Sequence, residues 1–247
     1  MTAPLTGRRA LVTGASRGIG AEIVRRLAAD GAAVAFTYGS SRADAEKVVA
    51  DVEANGGTAV AIQADSGDAE QVARAIDETV AKLGGLDILV NNAGVAYMGD
   101  VESFTMEQFD RLVAINIRGA FAAIQRALPH LGTTGRIINI GSINADRVPG
   151  PGLSIYAMSK AAIAGLTRAL ARDLGPRGIT VNNVQPGPIA TDMNPEVGEF
   201  ADSLREVMAL GRYGQPRDIA SVVSFLAGPE AAYVTGANWN VDGGFTV

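Results

Sequence analysis

Ala10-Leu11-Val12-Thr13-Gly14-Ala15-Ser16-Arg17-Gly18-Ile19-Gly20-Ala21-Glu22-Ile23-Val24 passes from a short apolar run, through a glycine-rich turn, into a segment of helical period. A strand over Ala10–Thr13 followed by a helix over Ile19–Ala29 places the turn at a helix N-terminus, where unpaired backbone N–H groups favour an anion. Glycines at 14, 18 and 20 remove the Cβ atoms that would hold a diphosphate away, with Ser16, Arg17 and Ile19 between them, so the turn suits a dinucleotide. Glycines also serve in tight turns that bind nothing, so the surroundings of the motif carry the decision. The same residues spell Gly14-x-Ser16-x-Gly18, the pattern of a nucleophilic serine at a strand-to-helix elbow. That reading needs a histidine within reach; the one histidine is His130, beside Pro129 at a predicted helix end, where it reads as a solvated or dipole-facing residue.

Outward from this motif, apolar β-branched runs alternate with segments of helical period, the pattern of βαβ units on a parallel sheet. Strands are predicted at Ala10–Thr13, Ala33–Thr37, Thr58–Gln63, Asp87–Val90, Arg136–Ile140, Thr180–Val184 and Asn238–Val241, with helices starting near Gly18, Arg42, Asp68, Thr105, Tyr156 and Pro216. The expectation is an α/β fold: a doubly wound, seven-stranded parallel sheet with helices on both faces, in a single domain over residues 1–247. Pro186, Pro188, Pro195, Gly187 and Gly198 break any regular structure after the sixth strand, and a substrate lid is expected over about 186–210.

The 247 residues are 47% hydrophobic with 30 glycines, which suits many strand-to-helix turns. A net charge of −5 repels nucleic-acid phosphates and anionic lipid, so neither is an expected partner. The chain has no cysteine and one histidine, which leaves no disulfide framework and no expected metal site. Neither a targeting stretch over Met1–Arg9 nor an apolar run long enough to span a bilayer is present, and a cytoplasmic location is expected.

A second constellation is Ser142, Tyr156 and Lys160. Tyr156 and Lys160 are four apart at the start of a predicted helix and share a face. An ammonium beside a phenol lowers a pKa that is otherwise about 10, and Ser142, just past the strand Arg136–Ile140, sits where parallel sheets place ligands and could hold a carbonyl oxygen. A tyrosine and a lysine at this spacing also occur as ordinary packing and snorkelling residues.

TGASRGIG at 13–20, NNAG at 91–94, Asn116, Ser142, YAMSK at 156–160, PGPIATDM at 186–193 and the closing Val241-Asp242-Gly243-Gly244 stand in the order and spacing of the short-chain dehydrogenases/reductases, which the whole chain resembles. It looks most like the 3-oxoacyl carrier-protein reductases and related bacterial ketone reductases. The resemblance implies a Rossmann fold and a catalytic set of Asn116, Ser142, Tyr156 and Lys160. In it Tyr156 is the general acid/base, Lys160 holds the nicotinamide ribose and lowers the phenol pKa, Ser142 orients the substrate, and Asn116 holds a relay water. It further implies that Asn92, Ala93 and Gly94 line the adenosine side, that Asp65 contacts the adenine, and that Pro186, Gly187, Ile189 and Thr191 close around the nicotinamide. From the residues alone, Asn91–Gly94 could equally be a turn and Asp65 a helix cap.

Cofactor choice is read at the end of the second strand, Thr37-Tyr38-Gly39-Ser40-Ser41-Arg42, where a carboxylate would repel a 2′-phosphate. None is present; Arg17, Tyr38, Ser40, Ser41 and Arg42 offer donors instead, and NADPH is expected over NADH. The alternative is that the arginines are solvated and Ser41 caps a helix. The expected activity is reduction of a ketone or 3-oxoacyl carbonyl to a secondary alcohol; a nucleotide-binding regulatory or sensing protein with little turnover is the alternative. Leu131-Gly132-Thr133-Thr134 lacks the basic residues of carrier-protein members, though Arg172 and Arg177 could contribute, and Val148–Leu153, Met193 and Val197 suggest an apolar substrate wall. Apolar residues on several faces of Thr105–Leu131 and Tyr156–Leu174, with the resemblance, predict a homotetramer.

Overall fold

Strands buried on both faces favour apolar runs, and the chain forms seven strands. In the computed structural model, which describes residues 3–247, they are β1 (Arg9–Val12), β2 (Ala33–Tyr38), β3 (Thr58–Gln63), β4 (Ile88–Asn91), β5 (Arg136–Ile140), β6 (Thr180–Pro186) and β7 (Asn238–Val241). Met1 and Thr2, the start of the stretch read for a targeting signal, lie outside the described residues. The helices are α1 (Gly18–Ala29), α2 (Arg42–Ala54), α3 (Ala69–Leu83), α4 (Met106–Val113), α5 (Ala120–Ala127), α6 (Ser154–Leu174), α7 (Glu199–Val207) and α8 (Pro216–Ala227).

All strand pairs are parallel, in the order β3-β2-β1-β4-β5-β6-β7. The winding reverses between β1 and β4, so a crevice opens outside their carboxyl ends. Alternate residues of each strand feed opposite layers. Val12, Phe36 and Ile138 pack with Ile23 of α1 and Val223 of α8, while Leu11, Leu89 and Ile137 pack with Ile76 of α3, Ile124 of α5 and Leu170 of α6. No helix among the described residues is long and apolar enough to cross a membrane.

The β3, β5 and β7 boundaries are those predicted. Two helical features are not. The segment expected as one helix from Thr105 is interrupted by a π-helical stretch, Ala114–Gly119, which carries Asn116. A Cβ on Gly119 would fall 2.1 Å from the carbonyl oxygen of Ser66, so that stretch sits hard against the β3–α3 connection. The second is α7, which lies within the region expected as an irregular lid; three prolines and Gly198, at φ 101°, mask its start.

A row of asparagines lies across four neighbouring strands at one register: Asn91 opposite Asn139, Asn139 opposite Asn183, and Asn183 opposite Asn238. Asn91 Nδ2 donates to Asn139 Oδ1 at 2.9 Å, and Asn139 Nδ2 donates to Thr167 Oγ1 of α6 at 2.9 Å. These bonds take up both ends of the buried Asn139 amide and tie α6 to the sheet, which places the first turns of α6 beside the crevice.

Candidate active site

The crevice is about 940 Å³ and runs from the β1–α1 turn across to α6, α7 and the residues after β7. Its floor at one end is the glycine turn. Ala15 N–H donates to Thr37 O at 2.8 Å and Gly14 N–H to Thr37 Oγ1 at 2.9 Å, which fasten the turn to β2. Gly14 has φ +64°, and a Cβ on it would lie 2.8 Å from the Ala93 Cα. The first helical bond of α1 is Ala21 N–H to Arg17 O, at 3.2 Å; the N–H groups of Gly18, Ile19 and Gly20 have no acceptor in their own helix. Such a cradle of unpaired N–H groups has the chemistry to receive a diphosphate.

Gly20 is held most closely. A Cβ there would lie 2.5 Å from Asn92 Nδ2 and 2.8 Å from both Ala15 Cα and Gly14 O. Asn92 Nδ2 itself donates to Thr13 O and Gly14 O at 3.0 and 2.8 Å, so it cannot withdraw freely. Gly20→Ala is expected to destabilise the fold by about 1–3 kcal/mol, seen as a lowered melting temperature, and to weaken nucleotide binding in titration.

Around the turn, Ser16, Arg17, Tyr38, Ser40 and Ser41 line the crevice. Arg17 is exposed and has no carboxylate partner among the described residues. Ser41 precedes α2 without making a side-chain cap, so its hydroxyl is not consumed by the helix. Arg42, by contrast, begins α2 and does not line the crevice, so it is not among the donors expected there.

Asp65 lines the crevice, where the resemblance places the adenine, and it is also tied to α4. Its carboxylate accepts from Arg111 Nη2 and Nη1 at 2.9 and 3.0 Å and from Gly67 N–H at 2.8 Å, and its own N–H donates to Gln71 Oε1. The Arg111 hydrogen bonds hold this carboxyl below its ordinary pKa. It is therefore a clasp between β3 and α4; the cap of α3 is Asp68, which accepts from Glu70 and Gln71 N–H.

At the other end of the crevice the four expected catalytic residues come together. A Cβ on Gly94 would sit 3.5 Å from Asn116 Oδ1 and 3.6 Å from Lys160 Nζ, so the NNAG turn packs against both. Lys160 is buried and donates to Ile140 O, at the end of β5, at 2.9 Å; its Nζ lies 5.6 Å from the centre of the Tyr156 ring. Ser142 Oγ donates to Asn144 Oδ1 at 2.9 Å and accepts from Asn144 N–H at 3.1 Å, which fixes it at the rim.

The Asn116 side-chain amide is fully bonded: Oδ1 accepts from Val95 N–H at 2.9 Å, and Nδ2 donates to Val95 O at 2.9 Å and to Ser159 Oγ at 3.1 Å. The amide is consumed in pinning the NNAG turn to α6. One role needs correction: the Tyr156 phenol is not lowered by Lys160 in the chain alone. Burial pushes it up, and only the Ser142 hydroxyl acts in the opposite direction. Burial also pulls the Lys160 ammonium down to about 8, from an ordinary 10.5.

After β6, Pro186, Gly187, Ile189 and Thr191 line the crevice. Gly187 abuts the end of β7, where a Cβ would lie 2.6 Å from Asp242 Cα, and Thr191 Cγ2 is 3.6 Å from a Cβ built on Gly18. The segment thus reaches back to the glycine turn. Met98, Phe200, Leu204 and Phe245 also line the crevice and were not picked out from the sequence. Phe245 follows the closing Asp242-Gly243-Gly244 motif, which signals it; Phe200 and Leu204 depend on α7.

A seven-stranded parallel sheet, a glycine cradle at its switch point and a Ser-Tyr-Lys set across the crevice define a dinucleotide-dependent oxidoreductase architecture. The sequence profile described as enoyl-(acyl carrier protein) reductase matches residues 14–246. The cyclic-di-GMP-binding biofilm dispersal mediator protein of Escherichia coli K12 is 49% identical over 240 residues, 97% of this chain and 98% of that protein. A 3-oxoacyl-[acyl-carrier-protein] reductase of Staphylococcus aureus is 42% identical over 240 residues, 96% and 97% of the two chains. Among solved structures, a blue fluorescent protein from a metagenomic library, in complex with NADPH, is 53% identical with a TM-score of 0.97, covering 99% of this chain and 100% of its own. The chain belongs to the short-chain dehydrogenase/reductase family.

Proposed function

We propose that this chain reduces apolar ketones to secondary alcohols with NADPH, using Tyr156 as the proton donor. The observation that carries this reading is the convergence of Tyr156, Ser142 and buried Lys160 on the same crevice as the glycine cradle. Bound NADPH would supply a hydride to the carbonyl carbon. Tyr156, held protonated by its burial, gives its proton to the carbonyl oxygen, and the Ser142 hydroxyl orients that oxygen. Lys160 and Pro186 to Thr191 would position the nicotinamide half, and Asn92 to Gly94 would line the adenosine side. Purified chain with NADPH and a panel of ketones should consume NADPH absorbance; no loss with any ketone would defeat the reading.

Choice of NADPH rests on Arg17, Ser40 and Ser41 at the crevice without a carboxylate beside them. Arg17→Ala should shrink the preference for NADPH over NADH by roughly tenfold to a hundredfold, measured by titrating both nucleotides. A preference left intact would assign the 2′-phosphate elsewhere.

A free ketone fits better than a carrier-protein substrate. Arg147 is engaged with the Phe245 carbonyl and lies over its ring, and Arg205 is paired with Asp202 and lies over Tyr213. Arg177 donates to Leu128 O and Leu131 O, at the sheet edge opposite the crevice. Met98, Met193 and Phe200 line the substrate side instead.

The relative named for cyclic-di-GMP binding favours a second reading, a nucleotide-responsive protein with little turnover. Tight NADPH binding without turnover, together with saturable cyclic-di-GMP binding, would support it. The exposed Phe121 on α5 and Met158 on α6, and the separate exposed Phe225 and Tyr233 beyond α7, supply two apolar patches for a homotetramer. Light scattering should return four times the 25.4 kDa chain mass; a monomer at micromolar concentration would refute this.

A further inference from the structure

At the amino-terminal edge of the sheet, opposite the crevice, two guanidinium groups meet on one carbonyl oxygen. Arg8 Nη2 and Arg136 Nη1 donate to Thr134 O at 2.7 and 2.9 Å, and Arg8 Nη1 donates to Thr134 Oγ1 at 2.7 Å. The two positive groups are thus joined through a single neutral oxygen. Arg136 is only 5% exposed, yet among the described residues no carboxylate comes within 4 Å of it. Its Nη1 is spent on the carbonyls of Thr134 and Gly135, and its Nε is buried with no acceptor among the described residues; Arg8 Nε likewise has none among them.

Asp87 is the carboxylate of this edge, and Arg9 consumes it. Arg9 donates to it from its backbone N–H at 2.9 Å, from Nε at 2.7 Å and from Nη2 at 2.9 Å. A buried, unpaired cation is costly, and a second cation beside it raises the cost. Burial and the like charge of Arg8 both lower the Arg136 pKa. In a chain of net charge −5, this edge sets the three guanidinium groups of Arg8, Arg9 and Arg136 around the Asp87 carboxylate.

We propose that this edge is an oxyanion site, in which a phosphate or carboxylate group binds the guanidinium groups of Arg8 and Arg136 beside the Thr134 hydroxyl. Planar guanidinium forks match such groups bidentately, and half-buried Arg8 is the entrance side. The group could come from a free phosphorylated small molecule or from a carboxylate of a second copy of this chain; the proposal is the shared oxyanion chemistry.

The test is thermal unfolding of the full-length chain in increasing inorganic phosphate, at constant ionic strength set with chloride and in saturating NADPH, which occupies the glycine cradle. Wild type should show saturable stabilisation: at ten times its Kd, phosphate raises the folded-to-unfolded ratio about elevenfold. Arg8→Ala and Arg136→Leu should lose that increment; if Arg136→Leu does not fold, the partly exposed Arg8→Ala still decides. A phosphate-independent increment that grows with chain concentration and disappears in Arg8→Ala would also support the site and assign its oxyanion to a second copy. Phosphate dependence that is equal in wild type and both variants, with no such concentration effect, would overturn the proposal. Repeating the titration in Arg17→Ala without NADPH keeps this result separate from any failure of the cofactor assignment.

Discussion

Tyr156→Phe is expected to lower kcat for ketone reduction by about 10²–10⁴-fold while NADPH affinity changes by less than about tenfold. The substitution removes one hydroxyl from a half-buried ring in the first turn of α6 and leaves the cradle, Lys160 and Ser142 in place. Steady-state kinetics with a nucleotide titration separates the two effects. Near wild-type kcat would remove the proton donor from the mechanism and leave nucleotide response as the better account of the crevice. Because burial holds the phenol protonated, the donor is loaded at neutral pH, and alcohol oxidation, which needs the phenolate, should rise into the alkaline range.

Lys160→Met is expected to stop turnover and at the same time make the nucleotide-free chain more stable. The folded state holds the Lys160 pKa at about 8, against an ordinary 10.5. Between those values the unfolded chain binds a proton that the folded chain does not, so stability rises with pH through that window and is lowest below about 8, where the folded chain must carry a buried ammonium. Methionine removes that penalty and forfeits the bond to Ile140 O. The net gain at pH 7 is about 1–3 kcal/mol, a rise of several degrees in melting temperature for a chain of this size. The gain should shrink as pH approaches 10.5. A melting temperature that fell at pH 7 would show that the Ile140 bond outweighs the desolvation of the amine.

The sheet was legible because burial on both faces leaves strands such as Ala33–Thr37 apolar at all but one position, and because glycines 14, 18 and 20 announce both a turn and its ligand. Tyr156 and Lys160 were legible as a pair because four residues is one helical turn. The hydrogen bonds of the Asn116 amide were not legible, because Val95 and Ser159, which take it up, lie far from it in sequence. The Asp65 clasp was hidden for a similar reason: its partner Arg111 is 46 residues away. Helix α7 was hidden by the prolines before it. The Arg8 and Arg136 pair carries no local signal at all, since only the sheet brings these two residues to one carbonyl.

The π-helical stretch Ala114–Gly119 has a consequence for how this chain can vary in length. An ordinary turn takes 3.6 residues, so an extra residue wound into the helix carries every later side chain about 100° further round. Deleting one residue there would restore a plain helix at small cost to α4 and α5, yet it would swing Asn116 off the Val95 backbone and unpin the NNAG turn. Among homologues, then, a single-residue gap between Thr105 and Ala127 would mark loss of the site more surely than many substitutions, even where Ser142, Tyr156 and Lys160 all survive.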